Sequence, residues 1–246
     1  MRHKQYIMRD DPIGVFDSGV GGLNVLRRCV MRMPNEKFIY LADKANMPYG
    51  ARQFDFIKTA ALECAETLVS MNCKAIAVAC NTATVAAVDE IRKLYGSVIV
   101  VGLEPAVKPC FRALKSGYAV ALITEATNSS VKFGRLLSDC GGKIKAVAQP
   151  RLAKLIEDNC DNIDEIAPYV RSVLEPYRDA SAVVLGCSHY TYITRIISEF
   201  YGGKIDIYDG ADGEAAQLRS RLESAGALAP PSAVGSVRFY STYKKA

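Results

Sequence analysis

No stretch of this chain approaches the ~18 consecutive apolar residues that a membrane-spanning helix needs. The opening MRHKQYIMRD lacks the apolar core of a secretory signal. A soluble, cytoplasmic protein is expected. Low-complexity segments are missing as well. The net charge is only +5, with much of the excess at the ends, in Arg2, Lys4, Arg9, Lys244 and Lys245. Basic residues form no stripe with interleaved aromatics, so no nucleic-acid partner is expected. A mildly positive field suits an acidic small molecule instead. The eight cysteines (Cys29, Cys64, Cys73, Cys80, Cys110, Cys140, Cys160, Cys187) include no C-x-x-C pair, which sets aside zinc ribbons and thioredoxin-like chemistry. With no secretion signal, reduced thiols are expected rather than disulfides. Phosphate-binding fingerprints are lacking too. The glycine turn at Asp17-Ser18-Gly19-Val20-Gly21-Gly22 has Asn24 where G-x-G-x-x-G needs glycine, and no Gly-Lys-Ser/Thr follows. Histidine is scarce: His3 and His189 are the two.

What the chain does have is apolar strands that end in chemistry. Ala75–Thr84, AIAVACNTAT, runs through small apolar residues to Cys80 and then turns polar at Asn81, Thr82 and Thr84. The pattern reads as a buried parallel strand entering a helix N-terminus. Ligands of open α/β sheets bind at that carboxyl end. Unpaired N–H groups there are expected to lower the thiol's pKa. Ser181–Thr191, SAVVLGCSHYT, repeats the arrangement with Cys187, Ser188 and His189. Cys29, Cys64 and Cys73 fall within or beside helical patterns and read as buried, inert thiols.

Around these two segments, strands and helices alternate. Strands are expected at 13–17, 37–42, 98–101, 118–123, 143–148 and 204–208, with a loop at 43–52 centred on Pro48-Tyr49-Gly50. A last long helix is expected over 209–225 and a poorly ordered tail beyond it, around Pro230-Pro231. The β-α-β-α order predicts an α/β fold: two similar lobes, each a mainly parallel sheet flanked by helices, with the site in the cleft between them. Residues 1–103 with 205–228 are assigned to the Asp17 and Cys80 lobe, 104–204 to the Cys187 and His189 lobe, and 229–246 to the tail.

Two thiols across a cleft admit four chemistries. A disulfide needs Cα atoms within about 7 Å. A zinc site from Cys80, Cys187 and His189 has poor spacing and no obvious fourth ligand. A single nucleophile with His189 as base leaves one cysteine idle. Two opposed bases use every feature: one thiol removes a proton from one face of a carbon, and the other returns a proton to the opposite face. Each then needs a polar assistant, for which Asp17 and His189 are placed in sequence.

The motifs taken together, Asp17–Gly22, Pro48-Tyr49-Gly50, Ala79-Cys80-Asn81-Thr82-Ala83-Thr84 and Gly186-Cys187-Ser188-His189-Tyr190, resemble the glutamate racemase family in order and spacing, from about Ile13 to Leu222. The resemblance implies a two-lobed enzyme without cofactor or metal that interconverts L- and D-glutamate for peptidoglycan synthesis. It maps the paired catalytic thiols onto Cys80, acting on D-glutamate, and Cys187, acting on L-glutamate, with Asp17 and His189 assisting. It maps substrate contacts onto Asp17, Ser18, Pro48, Tyr49, Gly50, Asn81, Thr82, Ser188 and His189, and further onto Thr124 and Thr127. A homodimer is a further expectation. The chain departs from the family pattern at Ser188, where threonine is usual, and at Thr191, where proline is usual. Further departures are Lys44, Asn46 and Met47 before Pro48, and Glu125 between the two threonines.

Overall fold

The computed structural model describes residues 9–243; Arg2, His3, Lys4, Lys244 and Lys245 lie outside the described residues. The chain begins β1 (Ile13–Asp17), α1 (Leu23–Arg32), β2 (Lys37–Ala42), a 3-10 turn at Tyr49–Ala51, α2 (Phe54–Ser70), β3 (Ala75–Val78), α3 (Asn81–Leu94) and β4 (Ile99–Gly102). It continues with α4 (Val107–Ala113), β5 (Ala119–Ile123), α5 (Glu125–Asn128), α6 (Val131–Ser138), β6 (Ile144–Ala148), α7 (Leu152–Asp158), α8 (Ala167–Leu174) and β7 (Ala182–Gly186). A 3-10 stretch at Ser188–Ile193, α9 (Thr194–Phe200), β8 (Asp206–Tyr208), α10 (Ala211–Ser224) and β9 (Ser236–Ser241) complete it.

Two parallel sheets result, ordered β4-β3-β1-β2-β9 and β6-β5-β7-β8. Their central strands, IGVFD, AIAV, AVALI and AVVLG, are buried along their whole length. Helices cover both faces, so these strands need apolar residues at every position rather than at alternate ones. In the first sheet, one face packs on α2 and α3 through Phe16, Ile39, Leu68, Ile76 and Val88. The other packs on α1 and α10 through Val15, Leu26, Tyr40, Ala77 and Leu218. A Cβ at Gly14 would meet the Leu68 side chain at 2.8 Å, so glycine leaves that side chain room where α2 packs on β1.

Two boundaries differ from the expectation. Strand β8 pairs with β7, so the return to the first sheet comes after Tyr208 rather than at residue 205. The tail is not loose either: β9 adds to the edge of the first sheet in register with β2. The prolines that suggested disorder are themselves anchored, because Asn35 Nδ2 donates to Pro231 O at 3.0 Å and to Ala233 O at 2.8 Å. Beside them Ala229 N–H donates to Glu36 Oε1 at 2.8 Å. The other Glu36 oxygen lies 2.7 Å from the buried Lys74 Nζ, an ion pair whose approach is not aligned as a hydrogen bond. Lys74 Nζ also donates to Arg9 O at 2.6 Å, so the segments near both ends of the described chain converge on Lys74, just ahead of β3.

Candidate active site

The carboxyl ends of β1, β2 and β3 meet those of β5 and β7 between the sheets, where short polar loops replace the apolar strands. Asp17 is the last residue of β1 and fully buried. Its Oδ1 accepts from Gly19 N–H at 2.8 Å, and its Oδ2 accepts from Ser188 Oγ at 2.8 Å, across the two lobes. Burial raises its pKa above the usual carboxylate value, against the opposing pull of His189 and these two hydrogen bonds. Ser18 is buried beside it. Contact at this seam is close: a Cβ on Gly21 would meet Ser188 Oγ at 2.5 Å and His189 N at 2.6 Å.

Cys80 caps α3, and its Sγ accepts from Ala83 N–H at 3.5 Å. The expected depression of its pKa is reversed. Burial pushes the thiol well above its ordinary value, and the neighbouring Asp17 charge adds to that. The N–H groups of Ala83 and Thr82 offset only part of the rise. Cys187 follows β7 and is also buried; both thiols are free, and Cys80 senses the charge of Cys187.

His189 Nδ1 lies 4.0 Å from Cys187 Sγ and 3.5 Å from Ser188 Oγ, and its Nε2 lies 2.6 Å from Glu157 Oε2. Burial alone would lower its pKa. The hydrogen bonds to Cys187 and Glu157, with Asp17 nearby, outweigh that and hold it well above the usual histidine value. In the protonated form both ring nitrogens are donors, one facing Cys187 and the other Glu157. Glu157, from α7, also accepts from Val20 N–H at 3.0 Å. Burial raises its pKa, but the His189 and Val20 bonds prevail and leave it below the usual value. Glu157 was not among the residues expected from sequence, and the only local signal was a carboxylate in a helix.

The substrate-contact candidates converge on the same place. Tyr49 is buried, and its hydroxyl donates to Asp43 Oδ2 at 2.5 Å. Pro48, preceded by a cis peptide bond, and Gly50 flank it. A Cβ at Gly50 would meet Thr124 Cγ2 at 2.8 Å, so this loop from the first lobe lies directly on the second. Thr124 Oγ1 is 3.0 Å from Thr82 Oγ1, donates to Thr127 Oγ1 at 3.0 Å and caps α5 through Thr127 N–H at 3.2 Å. Asn81 Nδ2 donates to Leu103 O at 3.1 Å, while its buried Oδ1 has no partner among the described residues. Glu125, the acidic departure between the threonines, is exposed and stays outside this group. Cys29 and Cys73 are buried away from it, while Cys64 lies beside Tyr49; burial raises all three thiols, Cys73 to about 12. Among the described residues, no group of three or more His, Cys, Asp or Glu side chains is arranged to hold a metal ion. No helix of the described residues is long and apolar enough to cross a membrane.

The chain that builds this site is similar along most of its length to known proteins. A glutamate racemase of Clostridium perfringens is 38% identical over 224 residues, covering 88% of this chain and 86% of that protein. A crystal structure of a glutamate racemase isoform from Bacillus anthracis superposes with a TM-score of 0.84 at 28% identity, covering 96% of this chain and 90% of that one. A glutamate racemase from Francisella tularensis, solved with D-glutamate, gives a TM-score of 0.80 at 26% identity, with 97% and 90% covered. The sequence profile of the Asp/Glu/Hydantoin racemase family matches residues 13–218. The strand-end cysteines, the two-sheet architecture and these matches agree, and the chain belongs to the Asp/Glu/hydantoin racemase family.

Proposed function

We infer that this protein is a glutamate racemase, interconverting L- and D-glutamate by proton transfer at Cα and so supplying D-glutamate for peptidoglycan synthesis in the cytoplasm. The observation that carries the reading is one buried thiol per lobe, Cys80 after β3 and Cys187 after β7, around a shared set of polar side chains. Its glutamate racemase relatives supply the substrate.

On this reading Cys187 takes the Cα proton from L-glutamate while the Cys80 thiol gives a proton to the opposite face, leaving D-glutamate. The reverse reaction exchanges the two roles. Cys80, held protonated by burial, is the ready acid for the first direction. His189, whose charge Glu157 supports, faces the Cys187 sulfur and is placed to assist its proton transfers. Asp17 lies within charge range of Cys80 and is the carboxylate to meet the substrate ammonium. The carbanion that forms spreads onto the substrate's α-carboxylate. Donors fixed in advance are worth most for such developing charge. Asn81, Thr82, Ser18 and the N–H groups opening α3 are the candidates, with Thr124, Thr127, Ser188 and the Pro48-Tyr49-Gly50 loop around the rest of the molecule. The chemistry proposed needs no cofactor.

The test is direct. Purified protein is incubated with single-enantiomer glutamate, aspartate and alanine, and the decay of optical rotation is followed together with exchange of the α-proton in deuterated water. Decay to zero with glutamate is expected. Decay with aspartate instead would reassign the substrate within the family. Binding without decay for any amino acid would make this a binding protein.

A further inference from the structure

Strand β9 reaches the site through two lines of contact. Along the first, Thr242, directly after β9, is bonded three ways to the end of β2 and the segment that follows it. Its N–H donates to Ala42 O at 3.0 Å, its Oγ1 donates to Asp43 Oδ1 at 2.6 Å, and the same oxygen accepts from Ala45 N–H at 3.0 Å. Asp43 is buried and its own N–H donates to Asp17 O at 2.8 Å. With one oxygen held by Thr242, the other accepts from the Tyr49 hydroxyl at 2.5 Å, and Asn46 Nδ2 reaches both, at 3.1 and 3.0 Å. Tyr49 leads into Gly50, which lies on Thr124. Along the second line, Phe239 packs on Tyr40 with ring centroids 6.1 Å apart, and the Tyr40 hydroxyl donates to Gly19 O at 2.7 Å, in the loop after Asp17.

We propose that Thr242 is a positioning residue for the substrate loop. By fixing the rotamer of the Asp43 carboxylate it sets where Tyr49 and Gly50 stand, and so makes β9, which touches no candidate catalytic group, part of the catalytic assembly. A carboxylate with a free side-chain torsion has several acceptor directions to offer a phenol. The Thr242 hydroxyl, donor to Asp43 and acceptor from Ala45 at once, acts with Asn46 to leave it one. Hydrogen bonds to charged groups are the stronger kind, so the loss of this one is felt at the next residue in the chain of bonds. The proposal rests on the reading of 48–50 as a substrate-contacting loop.

Thr242→Val keeps the shape and removes both bonds; Thr242→Ser keeps the hydroxyl. Three measurements are made on wild type and both variants: glutamate racemisation, melting temperature, and amide hydrogen exchange in peptides spanning 43–52. For Thr242→Val, KM for glutamate is expected to rise about tenfold, the value of one charge-assisted hydrogen bond, with kcat changed less. Exchange across 43–52 should accelerate while the melting temperature stays near wild type. Thr242→Ser should restore both. Equal KM and equal exchange in Thr242→Val and wild type would overturn the proposal, as would failure of Thr242→Ser to rescue. If the wild type itself leaves glutamate unchanged, the functional reading fails, while the exchange measurement still decides whether Thr242 orders the loop.

Discussion

Glu157 shows what only the fold supplies. In the sequence it is one carboxylate in LAKLIED, on a short helix whose other charged positions face solvent. Nothing within ten residues marks it. Folding turns it toward His189, 32 residues away, and toward Val20 in the other lobe. The consequence is measurable because the chain has only two histidines. His189 in the wild type is expected to remain charged well above pH ~6.5, the ordinary histidine value. In Glu157→Gln, one of the two hydrogen bonds that support the charge is weakened and burial opposes it, so the titration midpoint should fall. Proton NMR of the ring resonances, with His3→Gln to remove the second signal, checks this. A midpoint unchanged by the substitution would show that Glu157 does not set the imidazolium. The linkage to folding has a definite sign. A histidine whose folded pKa is raised stabilises fully below ~6.5, and that stabilisation is lost as pH climbs through the raised value. Glutamine at 157 should therefore cost most stability at mildly acidic pH and least in the alkaline range. Activity should fall with it, by about 10²-fold or more if the imidazolium assists proton transfer.

At the scale of elements, helix α10 carries a cost that the fold does not recover. Glu214 lies fully buried on its inner face, and neither carboxylate oxygen has a hydrogen-bond partner among the described residues. Burial raises its pKa well above the usual value, and the Asp17 charge adds to the rise. The unfolded chain releases this proton near pH ~4.3 while the folded one keeps it. Stability is thus lost as pH rises above that point. Glu214→Gln should raise the melting temperature, on the order of 2–4 °C for each kcal/mol regained, and by more at pH 8 than at pH 4.5. A substitution that lowered the melting temperature equally at both would show an unseen role for the charge. The same scale explains what the sequence made legible. The central strands end where polarity changes abruptly, at Asp17, Cys80, Thr124 and Cys187, so the expected site residues and the elements carrying them were readable from local contrast. Strand β9 was not. It is an edge strand with most of its residues exposed, and SVRFYS has neither a continuous apolar run nor a clean alternation. Its place depends on β2 offering an unpaired edge and on Asn35 and Glu36 holding Pro231 and Ala229, which are long-range facts. Strand β8 was misassigned for a similar reason: three residues long and half exposed, it shows its sheet only by its partner.

For the molecule as a whole, the arrangement of two sheets around one site makes the halves chemically opposite. Ser188 to Asp17, Glu157 to Val20 and Tyr192 to Val20 at 3.3 Å bind the lobes together on one side, and Thr82 to Thr124 does so on the other. A substrate held among these groups meets a thiol from each sheet. Racemisation itself cannot reveal which thiol serves which enantiomer. The enantiomers have equal free energy, so kcat/KM must be the same in both directions for any variant that turns over. Elimination escapes this constraint, because a substrate with a leaving group on its β-carbon loses HX after one deprotonation and needs no proton returned to Cα. Cys80→Ala and Cys187→Ala should both lose racemisation, by about 10²–10⁴-fold or more. Each should still eliminate from one enantiomer: Cys80→Ala from the L form, through Cys187, and Cys187→Ala from the D form, through Cys80. His189→Asn should slow elimination from the L form more, since its Nδ1 faces Cys187, and Asp17→Asn should slow elimination from the D form more, since Asp17 is the carboxylate neighbouring Cys80 and the one proposed to take up its proton and meet the substrate ammonium. Chiral chromatography of the unreacted analogue reads out all four variants in one experiment. If both cysteine variants kept the same enantiomer preference, or if either racemised glutamate at the wild-type rate, the thiols would not be the two opposed bases, and the pairing of one cysteine with each sheet would need another explanation.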